Sequence, residues 1–414
     1  MHRHPTTTLP GLVFPLCAWV LASCADSSGG ATAMPAADAA AGSGGTAGPS
    51  AADAAAGSGG PVTGGGPDAA EDAAVVAVTP CSALPAPGAW QNISPPGIVD
   101  ATAVVVDPFD PATVWLGTTD NGLFKSLDCG ATWTHVRTGR MAAVINTKGQ
   151  GLLSMAVDPA DRGVIYVAKY GGHGLLKSTN GGVDWEQLLP PESEVARVVQ
   201  YNFIDSVAMD PHDHRHIVLG THADCAAPYA PACEPETTDA GATWRIVKLP
   251  TRGWEEGAGP WVLDAASWLY AGNSGLWLTT DRGASWKDVT PAGASAFQGG
   301  EVENHTIPRG SDGTYYLTSL QGIVRSPDGH TWSRIATGPG RKVGFAIGNG
   351  HLYTSDQWSG SYETAAESDP TKWTALPTPP PPGDKGAPYL AYDAAHHLLY
   401  SSNFAGGAWR MVTP

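Results

Sequence analysis

Ser126-Leu127-Asp128-Cys129-Gly130-Ala131-Thr132-Trp133 is the stretch on which the fold turns. It returns as Ser178-Thr179-Asn180-Gly181-Gly182-Val183-Asp184-Trp185, as Thr237-Thr238-Asp239-Ala240-Gly241-Ala242-Thr243-Trp244 and as Thr279-Thr280-Asp281-Arg282-Gly283-Ala284-Ser285-Trp286. A copy one residue shorter runs from Ser326 to Trp332, and a worn one from Ser368 to Trp373. The chemistry is that of a turn. An Asp or Asn carboxylate or amide oxygen can accept backbone N–H bonds, the glycine can take the left-handed conformation, and the tryptophan offers a large flat face to bury. The carboxylates are therefore expected to staple hairpins and not to catalyse.

Around each turn lies a longer unit. In the first, Val104-Val105-Val106-Asp107 and Val114-Trp115-Leu116-Gly117 precede Gly122-Leu123-Phe124-Lys125, the turn, and Trp133-Thr134-His135-Val136. Four short strands per unit is the content of one propeller blade. Six further units follow, the last through Leu390–Asp393, Leu398–Tyr400 and Gly407–Val412. That seventh unit lacks a fourth strand. Trp90-Gln91-Asn92-Ile93-Ser94 matches the fourth-strand pattern of Trp286-Lys287-Asp288-Val289-Thr290. The predicted fold is an all-β, seven-bladed propeller of four-stranded blades, with residues 90–95 completing the last blade and leaving no open edge.

The repeated octapeptide resembles the Asp box, or BNR repeat, of the sialidase-like, sortilin-like and xyloglucanase-like propellers, over residues 88–414. The resemblance implies that the turns occupy one structural face and that any active site lies on the other. In sialidases it implies site arginines with a Tyr–Glu pair and an acid Asp. In xyloglucan-degrading propellers, loops similar to Thr119-Asp120-Asn121-Gly122-Leu123-Phe124 carry an Asp that acts as base. Photosystem-assembly factors are single propellers of this kind that bind protein without catalysis.

The 414 residues are rich in Gly and Pro, and the formal net charge is -16. An acidic surface repels phosphate backbones, so nucleic acid is excluded as an expected partner. Residues 1–23 read as an export signal: Arg3, an apolar run from Leu9 to Ala22, then Leu21-Ala22-Ser23-Cys24, which resembles a bacterial lipobox. Lipidation at Cys24 and plain cleavage both fit. Residues 24–80 are Ala, Gly, Ser, Pro and Asp with almost nothing to bury, and are expected to form a disordered linker; residues 81–414 are the propeller. A flexible tether of that length reaches roughly 40 Å. Cys225 and Cys233 share one short loop and are expected to pair, leaving Cys81 with Cys129; four cysteines allow three pairings.

The register of the repeat sorts residues by face. The loop face collects Glu255, Glu256, Glu301, Glu303 and Asp120 as candidate catalytic carboxylates, because glycoside hydrolysis needs an acid and a base or nucleophile. Arg140, Arg197, Arg252 and Arg341 approach from between blades, an arrangement suited to a carboxylated sugar. Lys169, Tyr170, Tyr201, His222, Asp224, Trp261, His305 and Trp358 complete the candidate ligand contacts. His212-Asp213-His214-Arg215-His216 and His396-His397 fall in first-to-second strand turns and are read as exposed turns. No cofactor and no metal is expected. The expected function is a monomeric, surface-anchored glycan-binding or glycan-hydrolysing propeller, touching the membrane only through a lipid. The alternatives are a non-catalytic scaffold for protein partners and a sialidase-like hydrolase of acidic sugars.

Overall fold

The computed structural model describes residues 80–149, 151–169, 174–189, 192–199, 204–221, 225–251, 259–297, 306–335, 337, 340–357, 359–379, 389–403 and 405–414. The expected signal, Cys24 and nearly all of the expected linker lie outside these residues. The described strands all belong to the compact unit Ala77–Pro414.

Seven antiparallel sheets form the blades of a propeller. Blade one pairs Ala101–Val106, Val114–Thr118, Leu123–Ser126 and Thr134–His135 in chain order. Blades two, three, four and six repeat that order. Blade five has three described strands, Tyr315–Ser319, Gly322–Ser326 and Ser333–Ile335, with a single bridge from Arg309 to Tyr315 on the inner side. The innermost strand of blade one packs against those of blades two and seven, so the ring is closed. Hydrophobic packing lies between blades: Trp115 and Leu123 of blade one meet Met155, Ile165 and Trp185 of blade two in one buried cluster.

Two local hydrogen-bonded motifs set the blade geometry. In the repeated turn, the Asp128 carboxylate accepts the Thr132 N–H at 2.8 Å and hydroxyl at 2.7 Å, while Ser126 Oγ accepts the Gly130 N–H at 2.7 Å. Asp239 and Asp281 repeat the pattern. Hydrogen bonds from the Thr243 hydroxyl and N–H hold the Asp239 pKa down at about 2. Gly182 in blade two adopts φ 82°, and a Cβ there would lie 2.6 Å from the Trp115 ring, so only glycine lets the blades close. The second motif follows the inner strands of blades one, two, three, four and seven. Asp107, Asp158, Asp210, Asp264 and Asp393 each accept two backbone N–H bonds from the turn that follows.

The closing strand is the one expected. Trp90–Asn92 pairs antiparallel with Ala408–Val412, in the register Trp90↔Met411, Gln91↔Arg410, Asn92↔Trp409. Arg410 is fully buried at this seam. Its guanidinium donates to the carbonyls of Cys129 (2.7 Å), Ser82 (2.9 Å) and Ala83 (2.8 Å) and to Gln91 Oε1 (2.9 Å). Both expected disulfides are present, Cys81–Cys129 and Cys225–Cys233, with Cα separations of 5.4 and 6.0 Å.

The histidine run departs from expectation. His214 Nδ1 lies 2.7 Å from Asp158 of the neighbouring blade, and His216 is buried between Asp210 (3.1 Å) and Glu236 (3.2 Å). His214 joins blades two and three and His216 is buried within blade three, while His212 and Arg215 are exposed as expected. His216 belongs to a charged layer beneath the Cys225–Cys233 loop. Glu234 and Glu236 project from the third strand of blade three, Cys233–Thr237. Other blades place Leu123, Leu175 or Leu276 at the Glu234 position. Glu236 meets His216, Arg245 and Arg282, with Arg282 at 2.9 Å. Burial opposes its ionisation, but these partners outweigh that and hold its pKa below the usual value. Among the described residues the Glu234 carboxylate accepts the Trp268 indole N–H, at 2.9 Å, and burial pushes its pKa up to about 8, against that hydrogen bond and with the help of the Glu236 charge.

Two predictions follow from these contacts. Arg410→Met strands the Ser82 and Ala83 carbonyls and leaves that of Cys129 with the Tyr400 hydroxyl alone, and at roughly 1–3 kcal/mol for each unsatisfied group the unfolding free energy in urea should fall by on the order of 3–5 kcal/mol. A loss below ~0.5 kcal/mol would remove Arg410 from the closure. For Glu234, the folded-state value lies above the unfolded value of ~4.3, so its favourable contribution is complete below that pH. It is lost as pH rises toward about 8. Glu234→Gln should flatten the stability–pH curve across this window and make the chain roughly 2–4 kcal/mol more stable at pH 8. Parallel curves for the two proteins would show that Glu234 does not titrate in this way.

Candidate functional site

At the loop end of blade one the strands Ala101–Val106 and Val114–Thr118 present a pair of carboxylates. Thr118 Oγ1 accepts the Asn121 N–H (2.9 Å) and donates to the Gly122 carbonyl (2.9 Å), which closes a tight turn after the second strand. Gly122 has φ 74°, and a Cβ there would lie 2.0 Å from Asn146 Oδ1, so the turn requires glycine. The turn carries Asp120 outward into solvent. Its backbone N–H donates to Asp100 Oδ2 at 2.7 Å, and its own Oδ1 accepts the Gly149 N–H at 3.0 Å. Asn121 Nδ2 donates to the second Asp100 oxygen at 3.1 Å.

Three chain segments thus meet at Asp120: the approach to blade one, its second-to-third strand loop, and the connection to blade two. Asp120 is the one expected carboxylate among the described residues. Asp100 was not singled out by sequence, because its signal is a contact and not a motif. Two carboxylates on one exposed rim, one of them fixed by backbone donors, can serve as a base and a water-orienting group or bind sugar hydroxyls.

The remaining expected residues do not gather around this pair. Arg140 lies against the repeated turn of blade two: its backbone N–H donates to Asp184 at 2.6 Å and its Nε to the Trp185 carbonyl at 3.2 Å. It therefore braces the turn that was expected to lie on the other face. Lys169 is fully buried, reaching the Ile145 carbonyl at 3.3 Å, and burial lowers its pKa to about 8. Arg197 is exposed on the short helix Glu194–Val198. Arg341 precedes the inner strand of blade six, where its carbonyl accepts the Gln357 N–H at 2.9 Å.

Trp261 is not on a loop but on the inner strand Pro260–Val262, 7% exposed. It lines a cavity of about 640 Å³ with Asp107, Arg309, Phe345, Tyr392 and Asp393. Asp107 and Asp393 end inner strands, which places this cavity toward the turn end of the channel. Glu255, Glu256, Glu301, Glu303, Tyr170, Tyr201, His222, Asp224, Arg252, His305 and Trp358 lie outside the described residues. Both of the expected disulfides are formed by described residues; the loop one ties Cys225 directly before the buried Glu234 layer.

No protein-family model matches the sequence. Among characterised proteins, the chain is 31% identical over 137 residues to a "probable oligoxyloglucan-reducing end-specific xyloglucanase" of Neosartorya fischeri, covering 31% of this chain and 16% of that protein. It is 26% identical over 276 residues to a xyloglucanase of Hypocrea jecorina, covering 56% of this chain and 32% of the relative. Among solved structures, the GH74 xyloglucanase from Xanthomonas campestris superposes with a TM-score of 0.54 at 17% identity, covering 78% of this chain and 53% of that one. That likeness is one of fold. The chain spans about a third or less of the length of these two sequence relatives.

Proposed function

We propose that this chain is an exported glycan-active propeller that engages a xyloglucan-type β-glucan at its loop end, with Asp120 as the hydrolytic base. One observation carries the reading. An exposed Asp, held by the Gly149 N–H and set beside Asp100, stands in the Thr119-Asp120-Asn121-Gly122 loop of a chain similar in sequence to xyloglucanases. The partner acid comes from Glu255, Glu256, Glu301 or Glu303, which the repeat register assigns to the same face. The paired carboxylates Asp100 and Asp120 of the described rim suit a neutral glucan better than a carboxylated sugar. The repeated turns act as Asp boxes in the structural sense, as staples remote from this rim. A lipid on Cys24 and the 24–80 linker would hold the propeller off a membrane surface.

The test is the purified chain on a panel of xyloglucan, mixed-linkage glucan, mannan and sialylated glycans, read for binding and for released reducing ends. Release from xyloglucan is expected. Asp120→Asn should lower kcat/KM by at least ~100-fold with KM within ~3-fold, the pattern of an interaction made in the transition state. Binding without turnover would remove hydrolysis from the reading and leave glycan recognition. No binding and no turnover on any glycan would end it.

A further inference from the structure

The seam that closes the ring carries a second cluster of reactive side chains, remote from the loop-end rim in the fold. Cys81, Cys129, Asp393 and His396 each place a ligand atom within 4.8 Å of the other three. They come from three parts of the chain: the segment before the closing strand, the repeated turn of blade one, and the turn after the inner strand of blade seven. We propose that this cluster is a thiol-gated zinc site: with the Cys81–Cys129 bridge reduced, the two thiolates, His396 and Asp393 hold one zinc ion.

The donor set is the first argument. Two thiolates with an imidazole and a carboxylate are ligand types of tetrahedral zinc. Their order is the second. Asp393 Oδ2 lies 2.5 Å from His396 Nδ1, and the other Asp393 oxygen accepts the Ala395 and His396 N–H groups, so carboxylate and ring are fixed before any metal arrives. Zinc would take the place of the hydrogen between His396 Nδ1 and Asp393 Oδ2, so that both atoms become ligands. Charge is the third. Two thiolates and a carboxylate carry -3 and zinc +2, and the residual negative charge sits beside the buried Arg410 guanidinium, bonded to the Cys129 carbonyl at 2.7 Å. Burial is the fourth: Cys129 and Asp393 are buried while Cys81 and His396 are half-buried, which shields the ion and leaves it a way in.

The chemistry balances with a dithiol reductant. Two electrons and two protons pass to the bridge, the S–S bond breaks, two thiols form, and the reductant becomes its own disulfide. Zinc then displaces the two thiol protons and forms two Zn–S bonds. At Zn–S distances near 2.3 Å in a tetrahedron the sulfurs stand roughly 3.8 Å apart. Cys129 is pinned through its carbonyl by Arg410 and the Tyr400 hydroxyl, so Cys81 makes most of that adjustment. In both states residue 81 stays tied to residue 129, by a covalent bond or through the metal, and the ring remains closed. The oxidised chain has no thiolate to offer and takes up no zinc here.

The experiment uses the full chain, oxidised or reduced by a phosphine, titrated with Zn²⁺ and with Co²⁺ as a spectroscopic probe. One equivalent should bind to the reduced chain, with thiolate-to-cobalt absorption, and none with that signature to the oxidised chain. His396→Ala should weaken zinc binding at least ~10-fold. Absence of stoichiometric binding on reduction overturns the proposal, as does binding that is indifferent to His396→Ala or that persists in Cys81→Ser/Cys129→Ser. If reduction alone unfolds the chain, zinc should restore the folded near-ultraviolet signal in the parent and not in His396→Ala; failure to restore it in the parent counts equally against the site.

Discussion

Everything in this molecule depends on one constraint: a ring of blades must be shut by a strand from the far end of the chain. Each blade can satisfy its own hydrogen bonds, but an open ring would leave the last sheet an edge and the first blade an unpacked face. Trp90–Asn92 supplies the missing ladder against Ala408–Val412. Arg410 then draws the Ser82, Ala83 and Cys129 carbonyls onto a single guanidinium, and the Cys81–Cys129 bridge secures the same point. Hydrogen bond, charge and covalent link coincide at the seam because it is where chain ends of high entropy must be held together. A metal site at the same point would secure the closure by a fourth kind of bond.

The blades themselves are standardised by two small motifs at the same end of the barrel. An Asp after each described inner strand but that of blade six turns the chain by accepting two N–H bonds, and another in the repeated turn between third and fourth strands does the same work. Their carboxylates are consumed by backbone donors. The loop end is relieved of that task and can vary. Blade three shows how far variation reaches inward. The Cys225–Cys233 loop feeds directly into a strand carrying Glu234 and Glu236, and the apolar contact made elsewhere is replaced by a buried charged layer held by His216, Arg245 and Arg282.

The functional reading rests on the contrast between these ends. Asp120 keeps one oxygen occupied by the Gly149 N–H and stands in solvent beside Asp100, while the Asp residues of the turn end are held by backbone donors. Of the arginines expected there, Arg140 braces a turn and Arg197 is exposed on a short helix.

The sequence alone determined the blade count, the closing strand and the structural character of the repeated turns, and it favoured the cysteine pairing that the structure shows. Those features are local or periodic: Asp128 bonds Thr132 four residues away, and Trp90–Ser94 is legible because six other copies show the pattern it completes. What the tertiary structure decided are contacts between segments distant in the chain. Asp100 reaches Asp120 across a hairpin, Arg140 reaches Asp184 in the next blade, Glu234 meets Trp268, and Cys81 and Cys129 come to lie against Asp393 and His396 across the seam. No spacing encodes these pairs, because blade rotation and loop path set which side chains face one another. The register could assign Trp261 to blade four; only the closed ring could place it inside the channel and not on its rim.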